Sequence, residues 1–361
     1  MRLQHLHLRN YRNYTRLELE PDPHLNVFLG RNGQGKTNLL ESVALLALST
    51  SPRARREMEL VGGLAQQARV VGEVDAADGA STIEIEIETR DDRPRRTIKV
   101  NQKPRRAVDL PGAFRVSLFW PEDLSLVKAG PEQRRRFLNE LLVQVEPGYA
   151  RTLARYTRAL EQRNHLLKRI ARQEEGPASL MGWDVQLAEL GNALTSARAR
   201  AVQELEPLAQ RSHASIAGHE QLQLTYLGSE GGLARLLVDN LTEDLRRGVT
   251  TVGPHRDDVQ VLLNARDARS YASQGQQRTA VVSLKLAEAA LIEARTGEAP
   301  VLLLDDVLSE LDIERRDALV QQLSGQSQVI ITSVDATPFP ERLLDAAHVR
   351  CINAGRIQPC A

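Results

Sequence analysis

Four residues at fixed spacing, Gly30, Gly35, Lys36 and Thr37, satisfy the pattern G-x-x-x-x-G-K-[ST] within FLGRNGQGKTNLLES. Each residue type answers a need of phosphate binding. Glycines let backbone N–H groups turn inward around phosphate oxygens, where a Cβ would obstruct the approach. Lys36 can reach the β- and γ-phosphates of a nucleoside triphosphate, and the Thr37 hydroxyl can ligate Mg2+. Arg31, Asn32, Gly33 and Gln34 complete the candidate cradle. A chance glycine-rich turn rarely also has a lysine and a threonine in register.

Two further stretches could share that chemistry. VLLLDD, Val301 to Asp306, is four apolar residues ending in two acids. A buried parallel strand with that ending delivers its carboxylates at the C-terminal edge of a sheet, where open α/β folds bind ligands. There Asp305 would hold Mg2+ through water, and Asp306 would polarise the attacking water. The simpler alternative is a helix N-cap. The loop at 30–37 needs a partner acid, and no other apolar run ends this way. The second stretch, SYASQGQQRTAVVSLKLAEAALIEA, opens a long amphipathic helix with a Ser-Gln-Gly-Gln-Gln turn. It reads equally as a capping box, Ser273 with Gln276, or as a second anion-binding helix N-terminus. Spacing alone does not choose.

The elements around these residues follow from periodicity. HLNVFLG suits a buried strand and TNLLESVALLAL a helix, which puts the phosphates at a helix N-terminus. LQHLHL, TRLELE and TIEIEIET alternate, with Ile83, Ile85 and Ile87 inward and the glutamates outward. A basic hairpin, RRTIKVNQKPRR, follows, then a buried strand, RVSLFW. From Pro131 long charged helices run without a strand signal to about residue 222. Leu153, Tyr156, Leu160, Leu167 and Ile170 fall at heptad-like spacing. After the break EEGPAS, so do Leu187, Leu190, Leu194, Ala197, Ala201, Leu205 and Leu208. A short coiled-coil-like hairpin and an ordinary bundle core fit these positions equally well. LQLTYL and VQVLLN, a helix at about 275–296, APVLLLDDVL, QVIITS and a short strand near HVRCIN then imply a largely parallel sheet covered on both faces. The expected division is 1–123, an inserted helical lobe at 124–245, and 246–361.

Composition narrows the setting. The 361 residues are 42% apolar with zero net charge, so nucleic-acid binding would have to come from local patches. No run approaches the ~18 apolar residues of a membrane span, and the opening MRLQHLHLRNYRNY is unlike a signal peptide. A cytoplasmic protein with no membrane contact is expected. Cys351 and Cys360 lack a surrounding His/Cys cluster and read as spare thiols in a reducing compartment. The sharpest charge bias is at 93–106, with Arg93, Arg95, Arg96, Lys99, Lys103, Arg105 and Arg106 and no acid. Such residues bind DNA phosphates without sequence preference, and of these Arg95, Arg96, Lys99, Arg105 and Arg106 are the candidates for DNA contact. They could instead solvate an edge strand. RARR at 53–56 and RRR at 134–136 are weaker candidates, the latter readable as a solvated helix face. No aromatic interleaving accompanies them, so duplex DNA or a duplex–single-strand junction fits better than stacked single strands.

Taken together, GRNGQGKTN, SQGQQR, VLLLDD and SELD resemble the nucleotide-binding heads of ABC and SMC-type ATPases. LHLRNYRNY, PEDLSLVKAGPEQRRRFLNELL, LLDDVLSELDIERRDAL and VGPHRDD are similar, more narrowly, to the RecF family of bacterial recombination mediators. The resemblance implies an α/β fold, an ABC-type P-loop ATPase head with an inserted helical lobe. It implies that two subunits sandwich two ATP molecules head to tail. Lys36, Thr37, Asp305 and Asp306 would act in cis, with Lys36 and Asp306 catalytic and Thr37 and Asp305 on Mg2+. Ser273, Gly275 and Gln276 would cap the partner's γ-phosphate in trans, with Asp312 at the same interface and Arg12 and Asn13 near the nucleotide. The function implied is an ATP-dependent homodimeric DNA clamp of recombinational repair and replication restart. It would help load recombinase RecA at gaps, support the SOS response, and work with RecR and RecO.

Departures from the pattern carry their own expectation. Ala129 and Asn139 stand where the family usually has Gly and Asp. Asp306 replaces the catalytic glutamate of general ABC heads, Thr332-Ser333 replace a switch histidine, and FWPEDL lacks a Q-loop glutamine. Hydrolysis should therefore be slow. Two rival functions are a transporter ATPase subunit and a chromosome-tethering or nuclease-associated head. The first calls for the absent histidine, and the second for far longer arms or a Cys-x-x-Cys hook.

Overall fold

The computed structural model describes residues 1–90, 93–229, 231–323 and 328–360. Unit 1 comprises Met1–Leu124, Leu208–Glu220 and Ser273–Ala361, and unit 2 comprises Ser125–Pro207 and Gln221–Ala272.

Unit 1 begins with β1 (Arg2–Tyr11), β2 (Tyr14–Leu19), β3 (Leu25–Leu29), α1 (Lys36–Leu48), β4 (Gln67–Ala76), β5 (Gly79–Arg90), β6 (Arg93–Val100), β7 (Lys103–Arg105) and β8 (Val116–Phe119). The alternating segments form one antiparallel sheet in the order β2-β1-β4-β5-β6-β7. Ile83, Ile85 and Ile87 are buried, as a strand with one solvated face requires. Asn101 and Gln102 both take positive φ, the geometry of a tight hairpin turn between β6 and β7.

Unit 2 holds α2 (Ser125–Lys128), α3 (Pro131–Val145), α4 (Tyr149–Ala171), most of α5 (Met181–Ala217), β9 (Leu222–Leu227), α6 (Leu233–Asp239), α7 (Leu241–Arg247), β10 (Asp258–Leu263), β11 (Arg266–Asp267) and α8 (Ala268–Tyr271). Its core joins Leu142 of α3, Tyr156 and Ala159 of α4, Leu187, Leu190, Leu194, Ala197 and Ala201 of α5, and Leu233 and Leu237 of α6. The seams on α4 and α5 are thus part of a bundle core with α3 and α6. The cut between units falls in α5 at Pro207, a residue that cannot donate the helical i→i−4 bond.

The chain returns to unit 1 with α9 (Gln274–Thr296), β12 (Val301–Asp305), α10 (Ile313–Leu323), β13 (Gln328–Ser333), α11 (Glu341–Asp345), β14 (His348–Asn353) and β15 (Arg356–Pro359). The second sheet runs β15-β14-β3-β13-β12-β8, with every pair parallel except β14–β15. All residues of β12 and β13 are buried, as expected of strands covered on both faces. Gln328, itself buried, exchanges hydrogen bonds with the backbone of Leu3 (2.8 and 3.1 Å) and so ties this sheet to β1.

Four expectations need correction. LQLTYL and VQVLLN form β9 and β10, which pair antiparallel in a separate three-stranded sheet within unit 2. Residues 246–272 therefore group with the helices, where 246–361 was expected to form one half-domain, while 208–220 group with unit 1. Cys351 and Cys360 are not spare thiols. The β14–β15 hairpin brings their Cα atoms to 5.0 Å and they are joined in a disulfide. Arg134 is not on a solvated face either. It is buried and paired at two points with Asp258, at 2.7 and 3.0 Å.

VGPHRDD belongs to a polar network inside unit 2. Tyr156 and the Thr250 carbonyl hold His255, at 2.7 and 2.9 Å. Asp257 accepts from Tyr226 at 2.5 Å and from Thr195 at 3.2 Å. Asn139 accepts from Tyr149 and Arg198 at 2.7 and 2.9 Å, so its side chain is well used in this setting.

Candidate nucleotide-binding site

The loop between β3 and α1 turns at the C-terminal edge of the parallel sheet, where ligands of such folds bind. Two close approaches explain its glycines. A Cβ on Gly30 would lie 2.5 Å from the Ile352 carbonyl oxygen, and Gly35 has φ 117° with the Asn13 amide 2.6 Å from where a Cβ would be. Arg31, Asn32 and Gly33 are exposed at the loop's crest. Lys36 begins α1 and is buried, its Nζ donating to the carbonyls of Gly30 (2.5 Å) and Arg31 (3.2 Å). An ammonium has three donors, so one is left to point out of the turn. Burial pushes the Lys36 ammonium below its usual value, and Asp305 and Asp306 oppose that shift.

The acidic strand end meets the loop. Thr37 Oγ1 donates to Asp305 Oδ2 at 2.7 Å across a sequence separation of 268 residues. Asp305 also accepts from Thr332 Oγ1 at 2.5 Å, on neighbouring β13. Burial raises the Asp305 carboxyl, while Thr332, Thr37 and Lys36 favour its charged form. Asp306, half-buried and at φ 54°, lies 3.5 Å from Ser333 Oγ. Thr332 and Ser333 thus stand beside the two acids. The paired hydroxyl and carboxylate of Thr37 and Asp305 are hard oxygen donors of the kind Mg2+ takes from protein, substrate phosphates supplying others. Among the described residues no group of three or more His, Cys, Asp or Glu could hold a metal.

Spacing could not show the residues that back the loop; of these only Asn13 was expected near the nucleotide, from the resemblance. Asn13 Nδ2 donates to the Gln34 carbonyl at 2.8 Å, and Asn38 Nδ2 donates to Asn13 Oδ1 at 2.8 Å. The Tyr14 hydroxyl donates to the Gly35 carbonyl at 3.0 Å. From the other side the β14–β15 turn contributes two backbone N–H groups, Ala354 to Gln34 Oε1 at 2.6 Å and Gly355 to the Gln34 carbonyl at 3.0 Å. Asn13 therefore supports the loop. Arg12 is engaged with Glu41 of α1.

Ser273 caps α9, as the simpler of its two readings expects. Its Oγ accepts from Gln276 N at 3.3 Å and its N–H donates to Gln276 Oε1 at 2.9 Å. Ser273 is exposed and Gly275 half-buried. Asp312 is exposed and accepts from the Arg315 N–H at 2.9 Å.

The basic stretch 93–106 does not form one patch. Arg95 lies opposite Glu88 and Lys99 opposite Glu84 on β5, whereas Arg96 lies opposite Ile87 and Arg105 opposite Ile98. Residues directly opposite share a face, so Arg95 and Lys99 share one and Arg96 and Arg105 the other. Lys99 is 3.7 Å from Glu84, Arg106 pairs with Asp109 at 3.1 Å, and Arg96 is occupied by Ser49 O and Glu57. Arg95, Lys103 and Arg105 are exposed, and the side chain of Arg93 lies outside the described residues.

A family model described as RecF/RecN/SMC N terminal domain matches residues 2–349. The chain is 42% identical over 375 residues to the DNA replication and repair protein RecF of Microcystis aeruginosa, covering 99% of this chain and 100% of the relative. It is 39% identical over 372 residues to the same-named protein of Staphylococcus aureus, covering 99% and 100%. Among solved structures, that of the recombination mediator protein RecF-ATPrS in the RecFOR pathway superposes with a TM-score of 0.91 at 34% identity, covering 100% of this chain and 98% of the other. An SMC head bound to the C-winged helix domain of ScpA has a TM-score of 0.58 at 14% identity, covering 99% and 96%, which shows a shared fold. Among the described residues no helix is long and apolar enough to cross a membrane.

Proposed function

Because this chain belongs to the RecF family of DNA replication and repair proteins, with the head fold shared by SMC ATPases, we propose that it is a slow, ATP-dependent DNA clamp. One observation supports the nucleotide site above all: the 2.7 Å contact that joins Thr37 to Asp305, with Lys36 seated in the same loop. In this reading the N–H groups of Gly30 to Thr37 cradle the phosphates at the start of α1, and Lys36 takes up the negative charge. Thr37 and Asp305 would hold Mg2+, which would supply positive charge to offset that of the phosphates. Asp306 orients the attacking water, and Ser333 lies beside it in place of a switch histidine.

Ser273, Gly275 and Gln276 cap the γ-phosphate held by a second copy, with Asp312 beside them. ATP then closes a head-to-tail dimer on duplex DNA or a duplex–single-strand junction, and hydrolysis reopens it. A solved relative is named a recombination mediator of the RecFOR pathway. Accordingly RecR and RecO are the proposed partners in a cytoplasmic pathway that loads recombinase at gaps and supports the SOS response. Analytical ultracentrifugation with ATP, with ADP and without nucleotide tests the core of this reading. Dimer with ATP alone is the expected result, and equal dimer fractions in all three conditions would remove the basis for the clamp.

A further inference from the structure

Glu220 and Arg315 converge on the Ser-Gln-Gly turn from two other parts of unit 1. Gln276 Nε2 donates to Glu220 Oε1 at 3.0 Å, while Gln276 Oε1 accepts from the Ser273 N–H. One amide therefore spans the capping box and the carboxylate. Arg315 reaches Glu220 Oε1 at 3.9 Å and Asp312 Oδ2 at 3.5 Å. A Cβ on Gly275 would stand 2.9 Å from Arg315 Nη1, so the guanidinium rests against the glycine of the turn. Behind Glu220, buried His213 approaches its second oxygen at 3.4 Å and meets Ser283 Oγ of α9 at 3.1 Å.

These contacts join two elements that the in-trans reading needs on one surface. The capping box fixes the first turn of α9, but nothing in it fixes that turn relative to the loop carrying Asp312. Catalytic constellations need their groups held to within ~0.5 Å, which usually requires a supporting layer of hydrogen bonds. Glu220, with Arg315 as its bridge, supplies that layer. We propose that Glu220 is a positioning residue. It locks the Ser-Gln-Gly turn to the Asp312 loop so that both meet the triphosphate of a second copy together. The proposal rests on the in-trans reading of the turn.

The test uses the full chain. Losing this charged hydrogen bond should weaken ATP-driven dimerisation about tenfold or more in Glu220→Ala. Affinity of the monomer for a fluorescent ATP analogue should stay unchanged. Glu220→Gln keeps an acceptor for Gln276 and should recover part of the loss, which separates positioning from folding. Mixing Glu220→Ala with Asp306→Asn then asks which subunit is served. In the mixed dimer one site combines an intact Asp306 with an intact Glu220 from the other copy, so ATP turnover should exceed the sum of the separate rates. Ser273→Arg mixed with Asp306→Asn is the control for the underlying reading. If that control recovers turnover and the Glu220 mixture does not, the role assigned to Glu220 is wrong. If neither recovers, the in-trans reading itself fails. A loss of ATP affinity in the Glu220→Ala monomer that matches its loss of dimer also overturns the proposal.

A second observation is independent of the first. On the outward face of the antiparallel sheet Arg9 stands in register with Arg16 on β2 and with Arg69 on β4. Like charges directly opposite one another destabilise a sheet. Glu18 pairs with Arg16 and Glu84 with Arg69, but Arg9 is exposed and has no ion-pair partner among the described residues. The row lines a concavity of about 720 Å3 that also includes His7 and Glu18 and no Phe, Tyr or Trp. At the ~4.8 Å spacing of strands the three positions span roughly 10 Å.

The geometry points to a contact for the phosphodiester backbone of DNA, since arginine contacts of this kind position a duplex and no Phe, Tyr or Trp platform lines the concavity. Fluorescence anisotropy on a duplex, with ATP present and across a range of salt, tests it. Arg9→Glu should lower affinity and reduce the salt slope of log K by ~0.9 for each phosphate that the side chain neutralises in the parent protein. Arg9→Gln should have a smaller effect, and affinity for ATP should not move. Unchanged DNA affinity and slope, or a loss confined to ATP binding, would overturn the assignment.

Discussion

Arg12 and Glu41 form a two-point pair, Nε to Oε2 at 2.8 Å and Nη2 to Oε1 at 2.7 Å, with the carboxylate fully buried at the heart of α1. Ser51 Oγ donates to the same carboxylate at 2.6 Å. Removing the arginine leaves an uncompensated buried charge, which costs about 3 kcal/mol or more. Arg12→Ala should therefore lower the midpoint of urea unfolding strongly, and Arg12→Ala with Glu41→Gln should recover part of the loss. A midpoint that stays at the parent value would show that the pair contributes nothing.

Asp305 should show the opposite sign. Burial raises its carboxyl above the usual value, so the native chain holds that proton more tightly than the unfolded one. Such a group stabilises below the unfolded value of ~3.9, and the contribution is lost as pH rises through the raised value. At neutral pH the charge costs stability. Asp305→Asn should raise the melting temperature of the nucleotide-free chain by roughly 1–3 °C. The gain should shrink as pH falls toward 4, and stabilisation by ATP with Mg2+ should be lost. Differential scanning fluorimetry at several pH values reads all three effects.

Lys36 and Ser273 should fail in different ways. Lys36→Met removes a charged contact of about 1.5–3 kcal/mol and should weaken ATP binding about 10- to 100-fold. Ser273→Arg adds bulk to an exposed turn and should leave ATP binding intact while the protein stays monomeric. Isothermal titration calorimetry and sedimentation together separate the two. Equal loss of nucleotide affinity in both variants would place Ser273 at its own subunit's phosphates.

The two faces of β6 and β7 should differ in their response to charge reversal. Arg95 stands opposite Glu88, and the glutamates of β5 already offset its face. Arg105 lies opposite Ile98, on the side of the sheet that carries the buried isoleucines, and is exposed only because β7 is the edge strand. Arg105→Glu should lower duplex affinity and flatten its salt slope by ~0.9 if it touches one phosphate. Arg95→Glu should change neither. Matching losses at both positions would mean that DNA meets the edge itself.

What could be read in the sequence depended on how local the signal was. The loop at 30–37 and the acidic strand end each lie within about ten residues, so type and spacing suffice to find them; the turn at Ser273 is equally local, but spacing leaves its role open. TIEIEIET declares its buried face by alternation alone. β9 and β10 were equally visible as strands, but period two does not say which sheet a strand joins. Their antiparallel pairing with each other decided that. RIQP was too short to read as a strand, and without β15 the two cysteines had no reason to meet. Asn13, Glu220 and the N–H groups of Ala354 and Gly355 act across separations of 21, 56 and more than 300 residues. Only the register of distant segments brings them into place.

That register sets an order on biosynthesis. β3 and its loop leave the ribosome early, yet both strands that flank β3, β13 and β14, lie beyond residue 327. Unit 2 comprises 125–207 and 221–272, so all its partners are present before either strand exists. Non-local pairings must close a long loop before they gain any contact energy, and they form slowly. A nascent chain halted near residue 300 would carry the whole glycine-rich motif with neither neighbour for its strand. ATP, which stabilises whatever state binds it, could act as a folding ligand only after the last hairpin had docked.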